Sequence, residues 1–247
     1  MSLFNYMALV QYDGTKYQGW QRQEKNDKTI QYKIEKILSK YSGEDITING
    51  SGRTDSGVHA RGQVINFKIG KDVEIEELKE YLNTYLPEDI MVVSIRRVSD
   101  RFHARLNAKG KKYIYYIDNA KQINIFTRRY SYHIDERLDI DKMNMAAESM
   151  LGTHDFTSFT SKKNTKKSCV RTIESIEITR EDKEVRIEFV GDGFLYHMVR
   201  IIVGTLVEVG LGKRMVNDIE GLIEAKDRAK AGYLVPAQGL FLEEVYY

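Results

Sequence analysis

The 247-residue chain has one cysteine, Cys169, so it can form no intramolecular disulfide and no cysteine-built zinc site. That scarcity suits a reducing compartment. The five histidines, His59, His103, His133, His154 and His197, show no close pair at metal-ligand spacing, so no metal is expected. No stretch approaches the ~20 apolar residues of a membrane span, and the N-terminus lacks a basic region followed by an apolar run. A cytoplasmic protein with no membrane partner is therefore expected. Solenoid repeats and low-complexity linkers are missing too. A formal net charge of +2 is too small to announce a nucleic-acid partner, so any such partner must be argued from where the charges sit.

What is present begins with enough apolar residue, 42%, to bury one large domain or two small ones. Two acid-free basic clusters stand out: Lys109, Lys111 and Lys112, and further on Lys162, Lys163, Lys166, Lys167 and Arg171 between Ser158 and Thr172. Any one of these lysines is accounted for by a solvated loop. Two clusters flanking an aromatic strand point more towards phosphate.

Hydrophobic periodicity gives an α+β reading. Strands are expected at Tyr6 to Tyr12, Val64 to Ile69 and Ile90 to Val98, with Ile46 to Asn49 leading into a turn. Helices are expected where Ile30, Ile34, Ile37 and Leu38, and then Ile75, Leu78 and Leu82, recur, the second stopped near Pro87. In the second half, Lys112 to Asp118 and the alternation of Val185, Ile187 and Phe189 predict strands. Met143, Ala147, Met150 and Leu151 mark a helix, a second begins near Phe194, a third holds Ile219, Leu222 and Ile223, and Leu240 to Val245 closes the chain as a strand. The order is that of a ferredoxin-like βαββαβ unit used twice, over residues 1–105 and 106–247, with a junction around Arg101 to Gly110.

The densest chemistry lies in Gly52-Arg53-Thr54-Asp55-Ser56-Gly57-Val58-His59-Ala60, a turn between apparent strands. Gly52 and Gly57 are expected to permit backbone conformations closed to other residues. Arg53 beside Asp55 would favour the ionised carboxylate and offer a forked donor to phosphate or ribose oxygens. An ordinary hairpin turn with an Asx-type bond fits the spacing equally well. A P-loop does not, because Val58 and His59 follow Gly57 where Lys and Ser or Thr should stand.

Arg200 lies in Phe194 to Val209, which is apolar around nearly its whole circumference and so predicts a buried helix. A guanidinium there needs a carboxylate, a phosphate or a route to solvent. Asp55 and Asp192 are both candidate partners. Tyr113, Tyr115 and Ile117 share one face of their strand, either as core or as a platform for an unstacked base. Trp20 is expected to pack under the turn, and His59 to make a structural hydrogen bond. His154 and Asp155 are neighbours on the chain, which does not make them face each other. The stretch from His154 to Arg171 fits a mobile basic loop, and Cys169 has no evident activating partner.

Together with Tyr12-Asp13-Gly14 and Gly19-Trp20-Gln21-Arg22-Gln23, this turn resembles the signature of the tRNA pseudouridine synthase A family. His154-Asp155-Phe156, Gly193-Phe194-Leu195-Tyr196-His197-Met198-Val199-Arg200 and Pro236-Ala237-Gln238-Gly239-Leu240 continue the resemblance in the family's order. It implies two ferredoxin-like sheets side by side around a cleft. It also implies isomerisation of uridine to pseudouridine at positions 38, 39 and 40 of the tRNA anticodon stem-loop, without a cofactor and as a homodimer. By the same resemblance, Asp55 is the nucleophile or base, Arg200 its charge partner, Tyr113 the residue stacking on the uracil, and Leu240 a wall of the same pocket. Arg53 would hold the backbone near the flipped nucleotide. Asp192 departs from the family, where asparagine is common, and is expected to compete for Arg200.

Two other classes remain open to the residues. A non-catalytic RNA-binding module explains the tyrosines and lysines but leaves Asp55 idle. A nucleoside glycosidase also uses a carboxylate at a ribose carbon, yet such enzymes pair two carboxyl groups about 5 to 10 Å apart and the turn offers one.

Overall fold

The structure, a computed structural model, describes residues 3–24, 26–161 and 168–247. Lys162, Lys163, Lys166 and Lys167 lie outside the described residues. In chain order the elements are β1 (Phe4–Tyr12), α1 (Ile30–Ser42), β2 (Asn49–Gly50), β3 (His59–Ile69), α2 (Ile75–Tyr85) and β4 (Ile90–Arg97). There follow β5 (Gly110–Asp118), β6 (Tyr132–His133), α3 (Ile140–Glu148), β7 (Gly152–Asp155), β8 (Val170–Glu181), β9 (Glu184–Gly191), α4 (Met198–Gly210), α5 (Asp218–Ala225) and β10 (Leu240–Tyr246). The protein is α+β. Its contacts divide it into one unit of residues 1–109 with 241–247 and another of residues 110–240.

The first unit follows the β-α-β-β-α-β order, with strands arranged β4-β1-β3-β10 and β2 paired on β3. β1 runs antiparallel to both neighbours, Tyr6 opposite Phe67 on β3 and Arg97 on β4. Alternation buries Tyr6, Ala8, Val10 and Tyr12 on one face of β1, the two-residue period a half-covered strand requires. Helix α1 contributes Ile30, Ile34 and Leu38 to the core and ends at Gly43, whose φ of 78° supplies the left-handed cap. Helix α2 buries Leu78 and Leu82 and stops at Leu86, because the residue before Pro87 is driven out of helical geometry. The closing strand was expected in the second half, but residues 241–247 group with the first unit because β10 pairs parallel with β3, Phe241 beside His59.

The second unit carries strands in the order β5-β9-β8-β7, with β6 on β5. Three of these, β6, β7 and β8, were not legible as pattern. β8 places its apolar residues Val170, Ile173, Ile176 and Ile178 at uneven intervals because a bulge between Ile173 and Ser175 shifts its register against β9. β7 and β8 take the two ends of the stretch expected to be a basic loop, His154 with Asp155 and Val170 with Arg171. Helix α4 begins at Met198 rather than near Phe194, since His197 adopts a left-handed conformation (φ 66°) that cannot continue a helix. Every residue of α4 is buried except Arg200 and Glu208, as its apolar circumference predicts. No helix among the described residues is long and apolar enough to cross a membrane.

Candidate functional site

In the first unit the turn at residues 51–58 joins β2 to β3, and the segment from Tyr12 to Trp20 cradles it. Trp20 N–H donates to the Thr54 carbonyl at 3.0 Å, and Ser56 Oγ donates to the Tyr17 carbonyl at 3.0 Å. The backbones approach so closely that a Cβ on Gly14 would lie 2.0 Å from the Val58 oxygen, and one on Gly19 would lie 2.9 Å from the Thr54 oxygen. The turn itself closes through Val58 N–H to the Asp55 carbonyl, with Gly57 at φ 78°. Gly52 is not among the positive-φ glycines, so only one of the two expected glycines is needed for its backbone angle.

Trp20, 2% exposed, packs against Gly50 and lies 6.0 Å from the Tyr12 ring, the packing role expected of it. The cradle is in turn anchored to α1, whose first free N–H groups, on Ile30 and Gln31, donate to the carbonyls of Gly19 and Trp20. His59 accepts from Gly14 N–H through Nδ1 at 3.1 Å, and its ring stacks on Phe241.

Beneath the turn lies a polar cluster that pattern reading missed. Gln63, fully buried on β3, accepts from Ser51 Oγ at 2.7 Å and donates to the Gly52 carbonyl at 3.1 Å and to the Tyr12 hydroxyl at 3.4 Å. Tyr12 and Thr54 share a hydroxyl hydrogen bond of 2.8 Å. Burial pushes the Tyr12 phenol well above its usual range, so it remains a neutral hydroxyl at any working pH. The available signal was a glutamine directly before the apolar pair Val64 and Ile65 of a mixed strand, a placement that costs free energy unless the amide is satisfied. Above this cluster the Asp55 side chain is half-exposed and Arg53 is exposed.

In the second unit, Tyr113 on β5 is only 8% exposed and meets the edge of the Phe194 ring at 5.2 Å. Its neighbour Tyr115 donates to the Pro236 carbonyl at 2.8 Å, and Arg200 Nε donates to the adjacent Val235 carbonyl at 2.8 Å. These two donors pin the segment that leads to Leu240, which is buried at the start of β10. The same segment touches α4 backbone to backbone: a Cβ on Gly204 would stand 2.0 Å from the Tyr233 oxygen, and one on Gly232 would stand 2.5 Å from Thr205 N. Asp192, the expected competitor for Arg200, instead accepts from Thr172 N–H at 3.0 Å.

The remaining predicted residues separate by environment. Lys109 is exposed and Lys111 half-exposed, while Lys112 is paired with Glu188 at 3.0 Å. His154 Nε2 bonds the Leu151 carbonyl, and Asp155 is taken by Thr157 and Lys226, so the two do not act on each other. Cys169 is buried. Among the described residues no group of three or more His, Cys, Asp or Glu side chains is placed to hold a metal ion.

Comparison with known proteins bears on both units. The profile of a family described as tRNA pseudouridine synthase matches residues 8–107 and 146–247, spanning the Asp55 turn, Arg200 and Leu240. A tRNA pseudouridine synthase A of Bacillus sp. (strain KSM-64) is 49% identical over 243 residues, covering 98% of this chain and 99% of that protein. Proteins named tRNA pseudouridine synthase A 2 in Bacillus anthracis and tRNA pseudouridine synthase A in Acetivibrio thermocellus are each 46% identical over the same shares. Relatedness over the full length, together with an aspartate turn held from beneath and behind, places the chain in the tRNA pseudouridine synthase family.

Proposed function

We propose that the enzyme modifies uridines at positions 38, 39 and 40 of the tRNA anticodon stem-loop, with Asp55 as the catalytic nucleophile or base. As a member of its family it is an isomerase acting on tRNA. The reaction breaks the bond from ribose C1′ to N1, turns the uracil, and joins C5 to C1′. C5 gives up its hydrogen to water and N1 takes one, so substrate and product are isomers and the chemistry calls for no cofactor.

The observation that carries the assignment to Asp55 is its setting. It is a half-exposed carboxylate on a turn whose flanking residues are tied by Trp20, Tyr12 and Gln63. Such preorganisation is what a nucleophile or base acting on a held nucleotide requires. Around it we assign Arg200 as the charge partner, Arg53 as the donor that holds the displaced backbone, Tyr113 as the platform for the flipped base and Leu240 as a wall of the uracil pocket. Arg200 suits its part because the Val235 carbonyl orients its guanidinium through Nε.

Lys109, Lys111 and Lys112, with Lys162, Lys163, Lys166 and Lys167, are assigned to the RNA backbone. Lys112 would exchange its pairing with Glu188 for a phosphate. The enzyme is further proposed to work as a cytoplasmic homodimer. The test is release of tritium from C5-labelled uridine in an unmodified tRNA transcript, followed by mapping of the modified positions. Release by the wild type and none by Asp55→Ala supports the assignment, whereas equal release by both removes it.

A further inference from the structure

We infer that Gln63 is the positioning residue of the Asp55 turn: its buried amide holds Ser51, Gly52 and, through Tyr12, Thr54 in one register, and so sets where the Asp55 carboxylate stands. The inference rests on the assignment of Asp55 above.

Gln63 sits in the middle of β3 with no exposure, a place where a leucine or methionine would fill the volume without desolvating an amide. Its side-chain bonds run to the turn and to Tyr12, the residue that hands the connection on to Thr54. The resulting chain, Ser51 to Gln63 to Tyr12 to Thr54, grips the turn on both sides of Arg53 and up to the residue before Asp55. A neutral amide accepts from a hydroxyl and donates to a carbonyl at the same moment, which an apolar side chain of the same size cannot do. Were it replaced by an apolar side chain, the Gly52 carbonyl and the Ser51 hydroxyl would lose partners in a buried place, and the turn would relax towards other geometries. A shift of about 1 Å in a reacting group costs on the order of a hundredfold in rate.

The amide's double role gives the test. In Gln63→Glu the ionised carboxylate can still accept from Ser51 Oγ but faces the Gly52 carbonyl with no hydrogen to donate. Once protonated, the same carboxyl donates to Gly52 and accepts from Ser51, restoring those two bonds, while its single hydrogen leaves the donation to Tyr12 unmade. Burial disfavours the charged form, so this proton is taken up well above the usual carboxylate range. Tritium release measured from pH 8.5 down to 5.5, and expressed as the ratio of variant to wild-type kcat at each pH, cancels the titration of every other group.

The ratio is expected near one-tenth to one-hundredth at high pH, climbing several-fold as pH falls, with KM for tRNA unchanged throughout. Gln63→Leu should show the same loss with no pH recovery. Tyr12→Phe, which removes only the hydroxyl and keeps the ring, should lose a few-fold in kcat, and it decides the matter if the Gln63 variants fail to fold. Wild-type kcat for folded Gln63→Glu at every pH, a loss confined to KM, or full kcat in Tyr12→Phe would each overturn the inference. Failure of the Asp55 assignment would be seen separately, as undiminished release by Asp55→Ala.

Discussion

The two units hold irregular backbone in place by the same two devices, put to different use. In the first, backbone contacts at Gly14 and Gly19 seat the turn at residues 51–58, and neutral side chains tie it from below, the amide of Gln63 and the hydroxyls of Ser51, Tyr12 and Thr54. In the second, Tyr115 and Arg200 hold the segment leading to Leu240 by its carbonyls, while Gly204 and Gly232 let it rest against the backbone of α4. A hydrogen-bonded turn loosens one donor at a time, while a glycine contact fails at once because no rotamer relieves a Cβ set against a carbonyl. On the roles proposed above, the bonds under the turn suit a group to be aimed, and the glycine contacts beside α4 suit a wall that stays put.

That contrast can be broken or sharpened experimentally. The largest effect is expected from Asp55→Ala, which should lower tritium release by at least about a thousandfold while circular dichroism and the urea midpoint stay at wild-type values. On the proposed assignment its side chain carries chemistry and not packing, so a large fall in stability would contradict that reading.

Gly204→Ala should do the reverse, destabilising the chain by about 3 kcal/mol in urea titration, because the new Cβ would stand 2.0 Å from the Tyr233 oxygen. Wild-type stability there would mean that the helix and the segment can part freely. Tyr115→Phe removes one donor from the Pro236 carbonyl, and about 1 kcal/mol of stability with a few-fold loss in kcat is expected. An unchanged kcat would show that the glycine contacts suffice to place Leu240.

The smallest effect concerns acid. The Thr157 hydroxyl holds the Asp155 carboxyl below its usual value, partial burial opposes it, and Lys226 assists. A carboxyl whose folded pKa is depressed contributes stability that is fully present above its unfolded pKa near 3.8, and that is lost as pH falls through the lower folded value. Thr157→Val should therefore cost under about 1 kcal/mol at pH 7 and progressively less as pH falls below 3.8. The neutral cluster under the Asp55 turn should add no such acid dependence.

Much of this was legible in the chain, and the exceptions share a cause. The helices at Ile30 and Ile75 and the strand at Tyr6 to Tyr12 follow from periodicity because each faces a single core. β8 was missed because a bulge scrambles its two-residue period, and α4 begins four residues late because His197 takes a left-handed angle, which apolar periodicity does not report. Trp20 was read correctly as packing, since an indole that size must find a core. Gln63 was overlooked because a polar residue in a strand looks like a solvent face until its neighbours are known to be buried.

By itself the sequence determined the α+β class, the family, and which residues are chemically able to act, because composition, period and motif order are properties of neighbours along the chain. Only the tertiary structure decided that Arg200 Nε serves the Val235 carbonyl, that Asp192 is occupied by Thr172, that Lys112 is paired with Glu188, and that Gln63 underlies the Asp55 turn. Hydrogen-bond partners are chosen by proximity in space and by the need to satisfy every buried polar group. Neither condition exists until the chain has folded.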